Sequence, residues 1–279
     1  MSTLPFRQVD VFSAEPLLGN PVAVVHDADG LSDEQMAAFA RWTNLSETTF
    51  LLAATEPGAD YRLRIFTPGA ELPFAGHPTL GSAHAWLEAG GAPREAGRVV
   101  QQCGAGLVVV HRDDERLSFE APPLVRSGPV DDATRAHVLA GLRLEGDAEA
   151  VVDLAWVDNG PGWVGVLLAD ADAVLALVPD WAALSGLEVG VVGPHPHGSP
   201  EAVEVRAFCP DLGLREDPVT GSLNAGLAQW LAGDRLPARY TASQGTVLGR
   251  RGRVHVVREG DVVLVGGATR TTLLGTVTL

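Results

Sequence analysis

The chain has 279 residues, of which 46% are hydrophobic and 20% charged, enough for one large or two medium globular domains with a sizeable core. Its formal net charge is -15 and it has no basic cluster, so nucleic acid and anionic membrane surfaces are not expected partners, and a bound anion must be held by local donors. The start, Met1-Ser2-Thr3-Leu4-Pro5, lacks a basic segment followed by an apolar run, and no stretch approaches the ~18 apolar residues of a membrane helix, so a cytoplasmic location is expected.

In chain order, Phe6 to Phe12 alternates as a half-buried strand, the Pro16 to Pro21 stretch turns, and Val22 to His26 returns as an apolar strand. Ser32 suits the N-cap of a helix with Asp33 and Glu34 in its first turn and Met36, Phe39, Ala40 and Thr43 on one face, and Asn44 suits a left-handed stop. Strands are predicted at Thr48 to Ala54 and Tyr61 to Phe66, then a helix from the Gly76-His77-Pro78-Thr79 start to Ala89. Short β-type runs follow at Arg98 to Gln102, Gly106 to Arg112 and Leu117 to Glu120, and Ala121-Pro122-Pro123 reads as a linker.

Beyond the linker come a helix at Asp131 to Ala140, strands at Ala150 to Val157 and Trp163 to Leu168 around the Asn159-Gly160-Pro161-Gly162 turn, and helix within Asp170 to Leu184. Leu187 to Val192 and Val203 to Phe208 are predicted strands and Leu223 to Leu231 a helix. Tyr240 to Gln244, Val254 to Val257, Val262 to Val265 and Thr271 to Val277 complete the chain as strands.

This order occurs twice. Arg64, Phe66 and Pro68 match Arg206, Phe208 and Pro210; after a short insertion, Pro73, Gly76, Gly81 and Ala83 match Pro218, Gly221, Gly226 and Ala228. Gly19-Asn20-Pro21 has its echo in Asn159-Gly160-Pro161. A repeat seen twice at this length is a duplicated domain. Residues 1–120, completed by the last strand at about 270–279, form one repeat, and residues 124–269 form the other. The expected fold class is α+β: two similar domains, each a mostly antiparallel, barrel-like sheet wrapped around a central helix, with both helix starts at a shared cleft.

Each central helix opens with unpaired N–H groups and the positive end of its dipole, which suits a carboxylate. The bland alternative is that Gly76 and Gly221 only permit tight turns. Near these starts the titratable candidates are His77 and Asp217, with Ser222 as polar companion, although Asp217 also suits a turn and Ser222 an N-cap. Pro78 and Thr220 flank the same starts and join the binding candidates. Glu47, between a helix end and a strand, reads from spacing alone more readily as a solvated loop carboxylate; at the mouth of an apolar cleft it is instead a general base. His195-Pro196-His197-Gly198 lacks a third ligand at recognisable spacing and reads as an exposed loop, no dinucleotide or phosphate loop is present, and no metal or cofactor is expected. Cys103 and Cys209 read as two reduced, partly buried thiols.

Gly19-Asn20-Pro21-Val22-Ala23-Val24-Val25, Ser46-Glu47-Thr48-Thr49-Phe50, Arg64-Ile65-Phe66-Thr67-Pro68, Phe74-Ala75-Gly76-His77-Pro78-Thr79 and Asp217-Pro218-Val219-Thr220-Gly221-Ser222 together resemble the PhzF phenazine-biosynthesis isomerase family along the whole chain. The resemblance implies a diaminopimelate-epimerase-like fold and a homodimer. It implies that Glu47 moves a proton within a small carboxylate-bearing substrate like trans-2,3-dihydro-3-hydroxyanthranilate, without a cofactor. His77 and Asp217 would assist, while Ser222 and the N–H groups around Gly76 and Gly221 would hold the anionic substrate. Ala75 and Thr220 stand where the epimerases carry thiols, which disfavours a two-thiol racemase. An epimerase working without catalytic thiols and a non-catalytic binding protein on the same fold are the alternatives.

Overall fold

The structure, a computed structural model, describes residues 2–113, 116–212 and 215–279. By its internal contacts the chain divides into two compact units, residues 1–120 with 266–279 and residues 121–265. The elements in chain order are β1 (Thr3–Val11), β2 (Asn20–Val25), α1 (Asp33–Thr43), β3 (Thr48–Leu52), β4 (Tyr61–Phe66), β5 (Glu71–Leu72), α2 (Gly76–Glu88), β6 (Arg98–Cys103), β7 (Gly106–Arg112), β8 (Leu117–Glu120), β9 (Arg126–Pro129) and α3 (Asp132–Leu142). They continue with β10 (Val151–Asp158), β11 (Trp163–Leu168), α4 (Ala171–Ala176), β12 (Glu188–Pro194), β13 (Val203–Phe208), β14 (Glu216–Asp217), α5 (Gly221–Leu231), β15 (Arg239–Gln244), β16 (Gly252–Glu259), β17 (Val262–Gly267) and β18 (Thr269–Thr278).

In the first unit the strands pair in the order β18-β1-β2-β3-β4-β6-β7-β8, antiparallel except for the parallel pairs β2–β3 and β4–β6. The second unit pairs β9-β10-β11-β12-β13-β15-β16 with parallel pairs at the corresponding places, β11–β12 and β13–β15. The seven strands of the second order repeat the pairing and direction of the first seven of the first, as a duplication requires. β18, the last strand of the chain, supplies to the first unit what β9 supplies to the second.

α2 touches all eight strands of its sheet and is buried from Gly76 to Ala83. A helix buried on every side cannot be amphipathic, and its small residues, Gly81, Ser82, Ala83 and Ala85, let strands approach closely. α5 does the same against β10, β11 and β16, with Gly221 and all of Leu223 to Ala228 buried. On the outer face of the first sheet α1 packs Met36, Phe39 and Ala40 against Val25, Phe50 and Phe66. Ser32 and Gln35 close a capping box at its start and Asn44 stops it in the left-handed region at φ 53°, so this helix is bounded where its sequence requires.

One repeated device fixes the strand that leads into each central helix. Arg64 grips Glu71 of β5 through Nε and Nη2, both at 2.7 Å, and Arg206 grips Glu216 of β14 through the same atoms at 2.9 and 2.8 Å. The planar guanidinium matches a carboxylate with two parallel bonds, so each fork sets register as well as attraction. Glu71 and Glu216 each stand five residues before the helix-start glycine.

Two expectations need correction. The Asp170 to Leu184 region is helical only over Ala171–Ala176, and turns follow. Asp170 caps a helix that Leu177 ends, and Asp180 then accepts backbone bonds from Ala182 and Ala183. β5, β9 and β14 have no strand pattern in the sequence. Two of them are two-residue strands, and β9 is an exposed run containing Gly128 and Pro129 that only its pairing with β10 makes extended.

Candidate active site

Each unit brings its own polar set to the start of its central helix. In the first, Glu47 lies between the left-handed stop of α1 and the first residue of β3. β3 is anchored by Thr48, whose hydroxyl is 2.8 Å from that of Thr43, and by Thr49, which donates to the Ala23 carbonyl and accepts from Ser82 of α2. This places Glu47 Oε2 3.3 Å from His77 Nε2, with side-chain exposures of 16% and 6%. Asn20, at the start of β2, brings its amide nitrogen to 3.4 Å from His77 Nδ1.

Burial pulls His77 down to about 3, and an opposing hydrogen bond to the Pro21 carbonyl does not restore it. The imidazole is therefore neutral at physiological pH, so its contact with Glu47 is that of a carboxylate and a neutral ring. Because the folded value lies below the unfolded 6.5, the unfolded chain takes up the proton first. The stability this residue confers is complete above pH 6.5 and is lost as pH falls toward 3, at about 1.4 kcal/mol per pH unit. Urea unfolding near pH 5.5 and near pH 4.5 is expected to show a slope steeper by about this amount in the wild type than in His77→Gln. Equal slopes would mean that His77 is not buried as a neutral ring.

In the second unit Asp217 ends β14 and accepts the Thr220 hydroxyl proton at 2.6 Å. Thr220 is the N-cap of α5, which corrects the reading of Ser222 as a cap: the helix opens at Gly221, and Ser222 is its second residue. Ser222 Oγ instead accepts from the Trp163 indole N–H at 3.0 Å, and its carbonyl accepts from Asn159 at 2.8 Å. With the indole donating to it, the Ser222 hydroxyl keeps its own proton to give.

The starts of α2 and α5 share a further property. α1, α3 and α4 are capped by the side chains of Ser32, Asp131 and Asp170, whereas neither Ala75 nor Thr220 caps its helix with a side chain. Gly76 and Gly221 are the first residues of the two helices, and Pro78 occupies a first-turn position that tolerates proline. An uncapped helix start offers N–H donors and positive potential to an anion.

The sequence gives Asn20, Asn159 and Trp163 no contact with the helix starts. The repeat of Asn20 and Asn159 ahead of β2 and β11 was the available signal, since each reaches the second residue of its central helix. His195 lies 3.0 Å from Ser243 Oγ and 3.4 Å from Glu204 Oε2. Among the described residues no three His, Cys, Asp or Glu side chains converge as a metal site, and no helix is long and apolar enough to cross a membrane.

Twin sheets, each wrapped around a buried helix, match the diaminopimelate-epimerase-like fold class. Within that class the phenazine biosynthesis-like (PhzC-PhzF) family matches residues 9–277, and the chain belongs to this family. It is 37% identical to antisense-enhancing sequence 1 of Schizosaccharomyces pombe, over 99% of both chains. It is also 37% identical to the trans-2,3-dihydro-3-hydroxyanthranilate isomerase of Pseudomonas aeruginosa, over 90% of this chain and 89% of that one. A crystal structure of a PhzF-family protein from Enterococcus faecalis superposes on it over 100% of both chains with a TM-score of 0.81 at 26% identity.

Proposed function

We propose that the protein is a cofactor-independent isomerase that moves a proton within a small carboxylate-bearing substrate, with Glu47 as the acid/base. The observation that carries this reading is the approach of Glu47 Oε2 to His77 Nε2 at 3.3 Å beside the uncapped start of α2. A carboxylate takes a proton from one carbon and returns it at another on the same face, which balances the reaction without a redox partner. His77 stands beside Glu47 as a neutral ring, so it adds no charge to the site. At each helix start the uncapped N–H groups, at Gly76 beside Pro78 and at Gly221 beside Thr220 and Ser222, suit a substrate anion, and Asp217 offers an acceptor for a substrate N–H or O–H.

The substrate class is drawn from the relatives, several of which are trans-2,3-dihydro-3-hydroxyanthranilate isomerases. Incubation of the protein with trans-2,3-dihydro-3-hydroxyanthranilate in D2O tests the reading. The expected result is conversion to an isomer with protein-dependent deuterium uptake at the receiving carbon. No conversion, together with inversion and deuterium uptake in a panel of α-amino acids, would transfer the protein to the epimerases. That alternative has the weaker support, because the N-cap positions Ala75 and Thr220 carry no thiol, and Cys209 is buried at the end of β13.

A further inference from the structure

Gln244, the last residue of β15, is fully buried and spends every hydrogen-bonding position of its amide on residues 217–224. Its Oε1 accepts from the Thr220 N–H at 3.0 Å and from Asn224 Nδ2 at 2.9 Å. Its Nε2 donates to the Asp217 carbonyl at 3.1 Å and to Thr220 Oγ1 at 2.9 Å. An amide has two donors and two acceptor sites, so none is left over. The orientation of the amide is also forced: a backbone N–H can only donate and a backbone carbonyl can only accept, so exchanging the amide O and N would break both bonds.

The forced orientation reaches the Asp217 side chain in one more step. Thr220 Oγ1 receives a proton from Gln244, which directs its single hydroxyl proton elsewhere, and Asp217 Oδ2 takes it at 2.6 Å. Asn224, one turn into α5, closes the set by donating to the Thr220 carbonyl at 2.9 Å. The backbone and the carboxylate of Asp217 are thus tied to one buried amide on a neighbouring strand. Helix capping alone does not require this: it would be met by the bond to the Thr220 N–H, without the bonds to the Asp217 carbonyl and the Thr220 hydroxyl.

We propose that Gln244 is a positioning residue that fixes the Asp217 carboxylate through the Thr220 hydroxyl. It rests on the proposed function only in that orientation of Asp217 then matters to turnover. Catalytic groups held within a fraction of an ångström depend on such second contacts, and a displacement of about 1 Å can cost ~10²-fold in rate.

The decisive measurement does not need turnover. The carboxylate carbon of Asp217, assigned in a 13C spectrum by its loss in Asp217→Asn, is expected to shift or broaden in Gln244→Met and in Thr220→Val, and to stay in place in Thr220→Ser, which keeps the hydroxyl. Thr220→Val leaves Gln244 and its backbone bonds intact, so it carries the test if Gln244→Met does not fold. A signal unmoved in Thr220→Val overturns the proposal. With trans-2,3-dihydro-3-hydroxyanthranilate as substrate, Thr220→Val is expected to lose about tenfold or more in kcat with KM changed less than about threefold, and Thr220→Ser to recover most of it. If the carbon signal moves as expected and kcat does not, the positioning stands and the assignment of Asp217 to the reaction fails.

Discussion

Glu47→Gln is expected to lower kcat by at least ~10² with trans-2,3-dihydro-3-hydroxyanthranilate while leaving KM within a few-fold of wild type. Glutamine has the size and reach of glutamate and still offers an oxygen 3.3 Å from His77 Nε2, so binding and packing are little disturbed. What it cannot do is accept a proton from carbon and hand it back. The loss therefore belongs to the chemical step, and solvent deuterium uptake into product should fall with it. His77→Gln should cost less, because a neutral ring with a value near 3 supports the carboxylate without carrying the proton at physiological pH. Turnover by Glu47→Gln near the wild-type rate would remove Glu47 from the mechanism and leave Asp217 as the remaining candidate for acid–base work.

The duplication explains how much of this site the sequence could reveal. Matches such as Gly76 with Gly221 and Gly81 with Gly226 mark shared backbone shape, and the two sheets do share their strand order. Side chains at the matched helix starts differ, His77 against Ser222, so the match in backbone shape does not extend to the polar groups there. The local signals were legible where one residue suffices, as with Ser32 and Asn44 around α1. Contacts that depend on strand register were not. Gln244 meets Thr220 because β15 runs parallel to β13, and Trp163 meets Ser222 because β11 packs on α5. A glutamine at a strand end and a tryptophan in an apolar strand give no sign of either partner. The position of Glu47 was likewise undecided until the Thr49–Ser82 bond tied β3 to α2.

Gly226→Ala is expected to destabilise the protein by about 3 kcal/mol or more, and Gly81→Ala by about 1–3 kcal/mol, although the two glycines occupy matching places on α5 and α2. A Cβ at Gly226 would stand 2.2 Å from the carbonyl oxygen of Val157 in β10. That strand is held on one side by β9 and on the other by β11, so its backbone cannot withdraw. A Cβ at Gly81 would instead meet side-chain atoms, Val22 Cγ1 at 2.4 Å and Val11 Cγ2 at 3.0 Å, which can shift at lower cost. In both helices alanine recovers up to ~1 kcal/mol of helix propensity, too little to offset a backbone collision and enough to offset part of a side-chain one. Urea unfolding of the two variants measures the difference, and equal losses would show that the strand around Val157 yields as easily as a valine side chain. The contact also sets how deeply α5 sits on β10, and with it the height of Thr220, Gly221 and Ser222 at the helix start. For that reason, at temperatures where Gly226→Ala remains folded, it should weaken substrate binding as well as stability, whereas Gly81→Ala should change KM little.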